Sequence, residues 1–101
     1  MTDEEKEKYR DGLIATCKVY CRIDYDDDME ILELMFDVTM QEMTELIPNF
    51  DADNLSKRQH LLILIFVKDL YDNREKYGKD RKKMQTAVSS MLLKEMYGGG
   101  A

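Results

Sequence analysis

The chain reads as an all-α domain, a compact bundle of about four helices with a central buried helix near residues 57–77. Three observations predict this. Residues 61–67 are seven consecutive apolar side chains, and a helix that is apolar on every side must be covered on every side. Residues 29–47 repeat apolar side chains at helical spacing, and no segment alternates as a half-buried strand does. A single Pro, Pro48, punctuates the 101 residues, which leaves little to break the chain into short strands and turns.

The first helix is predicted over about 5–21, where Leu13, Cys17, Tyr20 and Cys21 share a face with Ile14 beside them. The second runs from Asp27 or Asp28 to Leu46. Met29, Leu32, Met35, Phe36, Thr39, Met40, Met43, Leu46 and Ile47 form its stripe, and Glu30, Glu33, Asp37 and Glu42 fall away from it. Ile31, Leu34 and Val38 widen that stripe, as in a helix buried against its own core and against a neighbouring subunit. Pro48 ends it, because the residue before a proline is pushed out of the α region. Phe50 and Leu55 in the following loop are expected to tuck onto the core. Ser56 is the expected N-cap of the third helix, whose core residues are Leu61, Leu62, Leu64, Ile65 and Phe66 and whose end is Gly78 after Lys76 or Tyr77. An Asp72–Lys76 pair one turn apart is expected near that end. An Asp at Leu64, in the middle of the run, is expected to prevent folding. The fourth helix, about 81–97, presents Met84, Val88, Met91, Leu92 and Tyr97.

Length bounds the chain to one domain, 1–97, with 98–101 as a flexible tail. Seven apolar residues are far fewer than the roughly 20 that span a bilayer, and Lys57, Arg58, His60, Lys68 and Asp69 flank them, so no membrane partner is expected. The charged N-terminus carries no apolar leader segment. Charge is uneven: residues 1–56 hold sixteen acids and five bases, residues 57–101 five acids and ten bases, within a net −6. Such a split suits a basic tail for nucleic acid, or two unlike faces that meet in an assembly.

Candidate chemistry resolves into structure. Cys17 and Cys21 lie one turn apart, but zinc needs two further ligands and the one His is His60. They read as buried thiols in a reducing compartment. Asp24, Asp26, Asp28 and Glu30 alternate like the start of a calcium loop, yet that loop needs Gly at its sixth position and Glu at its twelfth, where Met29 and Met35 stand. The cluster reads instead as a helix cap, with Asp27 as N-cap and Glu30 completing a capping box. His60 has no triad-like companions. No cofactor, metal or catalytic residue is expected, and the chain does not read as an enzyme.

The segment DLYDNREKYG, residues 69–78, resembles the helix ending of the head–tail connector (head-completion adaptor) proteins of tailed bacteriophages, in which an aliphatic helix runs into (H/D)LY(E/D)NRE. VYCRIDYDDDMEILELM, residues 19–35, is similar to that family's opening, and VSSMLLKEMY, residues 88–97, to its closing helix. The resemblance covers residues 13–97 in order. It departs at the end, where the family's usual LLQLRY is LLKEMY and the Arg is replaced by Met96.

The resemblance implies a structural virion protein at the head–tail junction, assembled in the host cytoplasm. Such an adaptor binds beneath the portal as a ring, usually dodecameric, extends the DNA channel and receives the next tail or stopper protein. DNA passes through without specific binding. It also implies roles for Leu70, Tyr71, Asn73, Arg74 and Glu75 in core and neighbour contact. Arg74 is open to capping its own helix or forking onto a neighbour's carboxylate. The basic segment Lys79, Arg81, Lys82 and Lys83 is the expected partner of an acidic face, and its replacement by Glu should impair assembly and leave the helices intact. The alternative is a small helical DNA-binding or packaging-regulatory protein, which would use the same cations. A partner inhibitor mimicking nucleic acid with its acidic half is a third.

Overall fold

Local capping sets where most of the helices begin. The computed structural model describes residues 2–23 and 28–98; the tail over 99–101 lies outside them. Helix α1 spans Asp3–Tyr20. The Thr2 hydroxyl accepts from the Glu5 N–H at 3.2 Å, and Asp3, Glu4 and Glu5 occupy the positive end. It closes with Arg22 in the left-handed region at φ 58, the Arg22 N–H donating to the Val19 carbonyl and the Ile23 N–H to the Lys18 carbonyl. This is the paired closure that usually recruits glycine, and it turns buried Ile23 back onto the core.

Helix α2, Met29–Leu46, ends where Ile47 becomes extended before Pro48. Helix α3, Lys57–Asp72, opens with a capping box: the Ser56 hydroxyl accepts from the Gln59 N–H, and the Gln59 side chain accepts from the Ser56 N–H, each at 3.1 Å. The sequence predicts one helix to Lys76 or Tyr77, but α3 stops at Asn73. The Asn73 side chain donates to the Asp69 carbonyl at 2.8 Å, competing with the helical ladder. A single turn, α4 (Arg74–Tyr77), follows. Gly78 ends it at φ 56, ψ −126, a conformation that suits glycine alone. Helix α5, Arg81–Leu93, has Asp80 as N-cap, its carboxylate accepting from the Lys83 N–H at 3.2 Å. Its last turn, Lys94–Gly98, widens to π-helical spacing. Among the described residues this makes five helices, four of them long.

α3 packs against each of the other four helices, and α2 against α1, α3 and α5. Leu32, Met35, Val38, Met43, Ile63, Val67, Leu70, Met84 and Val88 are wholly buried. Phe50 and Leu55 lean onto this core as expected. The body measures 39 × 37 × 21 Å, about two helix diameters thick. A two-layer slab cannot cover a central helix on all sides. Accordingly Leu62, Ile63, Phe66 and Val67 are buried and Leu64 is half-buried, whereas Leu61 is 52% and Ile65 41% exposed. The expectation that Leu61 and Ile65 belong to the core is corrected: they form an outward strip. Tyr97, expected to help close the domain, is 77% exposed, because the widened last turn rotates it off the buried face.

Two further departures are electrostatic. Asp72 pairs with Lys68 at 2.8 Å and not with Lys76, since α3 ends before Lys76 joins the same helix. Glu42, predicted off the stripe, is 8% exposed. Its pKa is raised, by burial first and then by Glu45. A raised carboxyl pKa stabilises at low pH and is lost as pH rises through it. Glu42→Gln is therefore expected to raise the melting temperature at neutral pH, with the gain vanishing in acid.

Candidate functional site

The LYDNRE segment, residues 70–75, is a knot between the end of α3 and the start of α2. The Tyr71 hydroxyl donates to Asp28 Oδ2 at 2.6 Å across 43 residues of sequence. That bond, more than burial, raises the Tyr71 pKa. The Arg74 guanidinium lies 4.3 Å over the Tyr71 ring and donates from Nη1 to the Tyr71 carbonyl at 2.9 Å. Arg74 thus caps its own chain. Leu70 is wholly buried within this subunit, Tyr71 nearly so, and Asn73 closes α3. The resemblance implies core and neighbour contact for these residues; within the chain, Leu70 fills the core, and Tyr71, Asn73 and Arg74 bond to residues of the same subunit. Glu75 alone of the five points to solvent without such a bond among the described residues.

The same knot alters the expected cap. Asp27 lies outside the described residues. The N-cap of α2 is Asp28, whose carboxylate makes no capping bond there and accepts from Tyr71. Glu30 is therefore the second residue of the helix, not the third, and reaches Lys79 at 3.4 Å.

The basic segment divides. Lys79 pairs with Glu30, and Arg81 donates to Gln41 Oε1 at 2.7 Å, so both brace α5 against α2. Lys82 and Lys83 project from the opposite side, where they join Lys76 and Tyr77 around an open groove of about 660 Å³ between α4 and α5. In the sequence Lys76 is read as a partner of Asp72 and not as part of the basic segment. Its position three residues before that segment gives no signal of a shared groove until Gly78 turns the chain.

A second concavity of about 470 Å³ lies between α1 and α2. Arg10 grips both oxygens of Asp37 at 2.9 and 3.2 Å beside it and stacks near Phe36, and Lys6 pairs with Asp53 at 3.6 Å. Arg58 and Glu95 form an ion pair that ties the start of α3 to the end of the chain. His60 is half-buried at the core's edge, its Nε2 without a hydrogen-bond partner.

Cys17 and Cys21 are free and buried. Among the described residues no three acidic, His or Cys side chains are grouped to hold a metal, and no helix is long and apolar enough to cross a membrane. Burial pushes the Cys17 thiol up to about 12 and Cys21 to about 11. With folded pKa values above the unfolded ones, the stability held by the neutral thiols is complete below about 9 and lost as pH rises toward 12. Urea unfolding between those limits is expected to show falling stability, with a shallower slope in Cys17→Ala.

No protein-family model, no curated protein and no solved structure matches the chain.

Proposed function

We propose that this chain is a structural assembly protein of the head–tail connector kind, an adaptor that binds below a portal as a ring, extends the DNA channel and receives the next tail or stopper component. The observation that carries the reading is the outward side of the aliphatic helix. Leu61 and Ile65 stand one turn apart on α3, more than 40% exposed, in a run whose composition demands cover. A ring contact supplies that cover. The ordered resemblance over residues 13–97 supports the same reading.

Co-expression with the portal protein of a tailed phage tests it. The expected result is a complex that survives gel filtration and shows a ring beneath the portal by electron microscopy. A monomer that neither binds portals nor self-associates at any concentration would remove the proposal. The DNA-binding reading draws support from one feature, the groove carrying Lys76, Lys82 and Lys83. A mobility shift with duplex DNA that falls with salt and disappears in Lys82→Glu, Lys83→Glu protein would favour it.

A further inference from the structure

The face of α5 opposite its buried Met84 and Val88 forms one wall of the 660 Å³ groove, and Lys76 and Tyr77 of α4 form the other. Lys76, Lys82 and Lys83 enter no ion pair among the described residues. The one acid on the rim, Asp80, is turned to its capping bond with the Lys83 N–H. Two of the lysines sit in the first turn of a 13-residue helix, where the backbone adds positive potential. Tyr77 and Ala87 give the groove an apolar floor. Its three lysines suit an acidic occupant.

The chain itself carries one. The start of α1 is a capped helix whose residues 2–8 are all exposed, with Asp3, Glu4, Glu5 and Glu7 within two turns. Yet α1 touches only α2 and α3, and neither α4 nor α5. The acidic helix start does not meet the groove of its own subunit. The Arg10–Asp37 clamp and the Lys6–Asp53 pair hold it to α2 and the loop before α3.

We propose that the groove between α4 and α5 receives the acidic start of α1 from a second copy of this chain. The inference rests on the assembly reading above and gives it a specific contact. Groove and helix start are different surfaces, so the contact is heterologous and each copy offers one of each, the arrangement that closes rings. Duplex DNA is the lesser candidate. A net charge of −6 opposes duplex DNA and a second copy alike at long range, but the second copy can present Asp3, Glu4, Glu5 and Glu7 within two turns of one exposed helix start, a local match to three clustered lysines.

The test uses the full chain at high concentration and low salt, mixing ¹⁴N- and ¹⁵N-labelled protein before zero-length carboxyl-to-amine crosslinking. Mixed-isotope crosslinks joining Asp3, Glu4 or Glu7 to Lys76, Lys82 or Lys83 are expected. They should fade as salt shortens the Debye length from about 10 Å at 0.1 M to about 3 Å at 1 M. Reversing the groove (K76E/K82E/K83E) or the helix start (D3K/E4K/E7K) is expected to weaken self-association about tenfold or more, with the helical spectrum retained. Mixing the two variants should restore it, because each reversed surface then meets its complement. Self-association with crosslinks only elsewhere, for instance at α3, overturns this contact and leaves the assembly reading standing. Absence of any self-association overturns this contact, and absence of portal binding as well overturns the assembly reading. Loss of DNA binding, rather than of self-association, in the groove variant assigns the groove to nucleic acid and overturns the proposal.

Discussion

Ile63→Asp is expected to yield no folded protein, while the double change Leu61→Gln, Ile65→Gln is expected to yield a folded one. The positions are neighbours on α3 and all lie in the same aliphatic run. Ile63 is wholly buried. A carboxylate there has no water and no partner, and costs several kcal/mol against a total stability of about 5–15 kcal/mol for a domain of this size. Leu61 and Ile65 already meet solvent, and glutamine is a good helix former, so each change should cost within about 1 kcal/mol. Circular dichroism and urea unfolding separate the two outcomes. A cooperative wild-type-like melt for Ile63→Asp would show that the helix is not central. On the assembly reading, the double Gln variant loses portal binding or self-association although its monomer is intact. An unaltered assembly would mean that the outward strip is not the contact.

That contrast marks how far the residues alone reach. A run of seven apolar side chains states how many faces want cover, but not how many neighbours one chain can supply. Leu61 and Ile65 look the same as Ile63 in sequence, and only the two-layer packing of α3 separates them. Where the signal is local, it is legible. Ser56 with Gln59, Pro48 after Ile47, and Gly78 after Tyr77 each fix a helix boundary through bonds or dihedrals within four residues. The acidic cluster before α2 is locally ambiguous, since any of several neighbouring Asp residues can cap. Its choice is made 43 residues away, when Tyr71 takes the Asp28 carboxylate. The break at Asn73 comes from its own side chain bonding to the Asp69 carbonyl, and Arg74 secures it by bonding to the Tyr71 carbonyl and stacking on a ring bonded to Asp28. The basic segment reads as one patch in sequence. At about 100° per residue, the start of a helix sends Arg81 and Lys83 to different sides, one toward Gln41 and the other into the groove.

The second large effect is expected at Tyr71. Tyr71→Ala removes a nearly buried aromatic ring, the surface under Arg74 and the partner of Asp28 together. Truncation of a buried aromatic typically costs about 3–5 kcal/mol, so this variant is expected to be marginally folded or unfolded at 37 °C. Tyr71→Phe keeps the ring and the Arg74 stack and loses one bond to a charged acceptor that is half-buried, a cost of about 1–2 kcal/mol. If the bond is what couples α3 to α2, Asp28→Asn and Tyr71→Phe should be less than additive, with a coupling energy of at least about 0.5 kcal/mol in a double-mutant cycle. The pH dependence gives an independent reading. The Tyr71 pKa is raised above 10.0, chiefly by Asp28, so the stability it contributes is present below about 10 and lost as pH climbs through the folded value. Tyr71→Phe should therefore be destabilised at neutral pH and converge on the wild type in strong alkali. Additive effects, or parallel pH curves, would mean that the LYDNRE segment holds α2 and α3 together by ring packing alone.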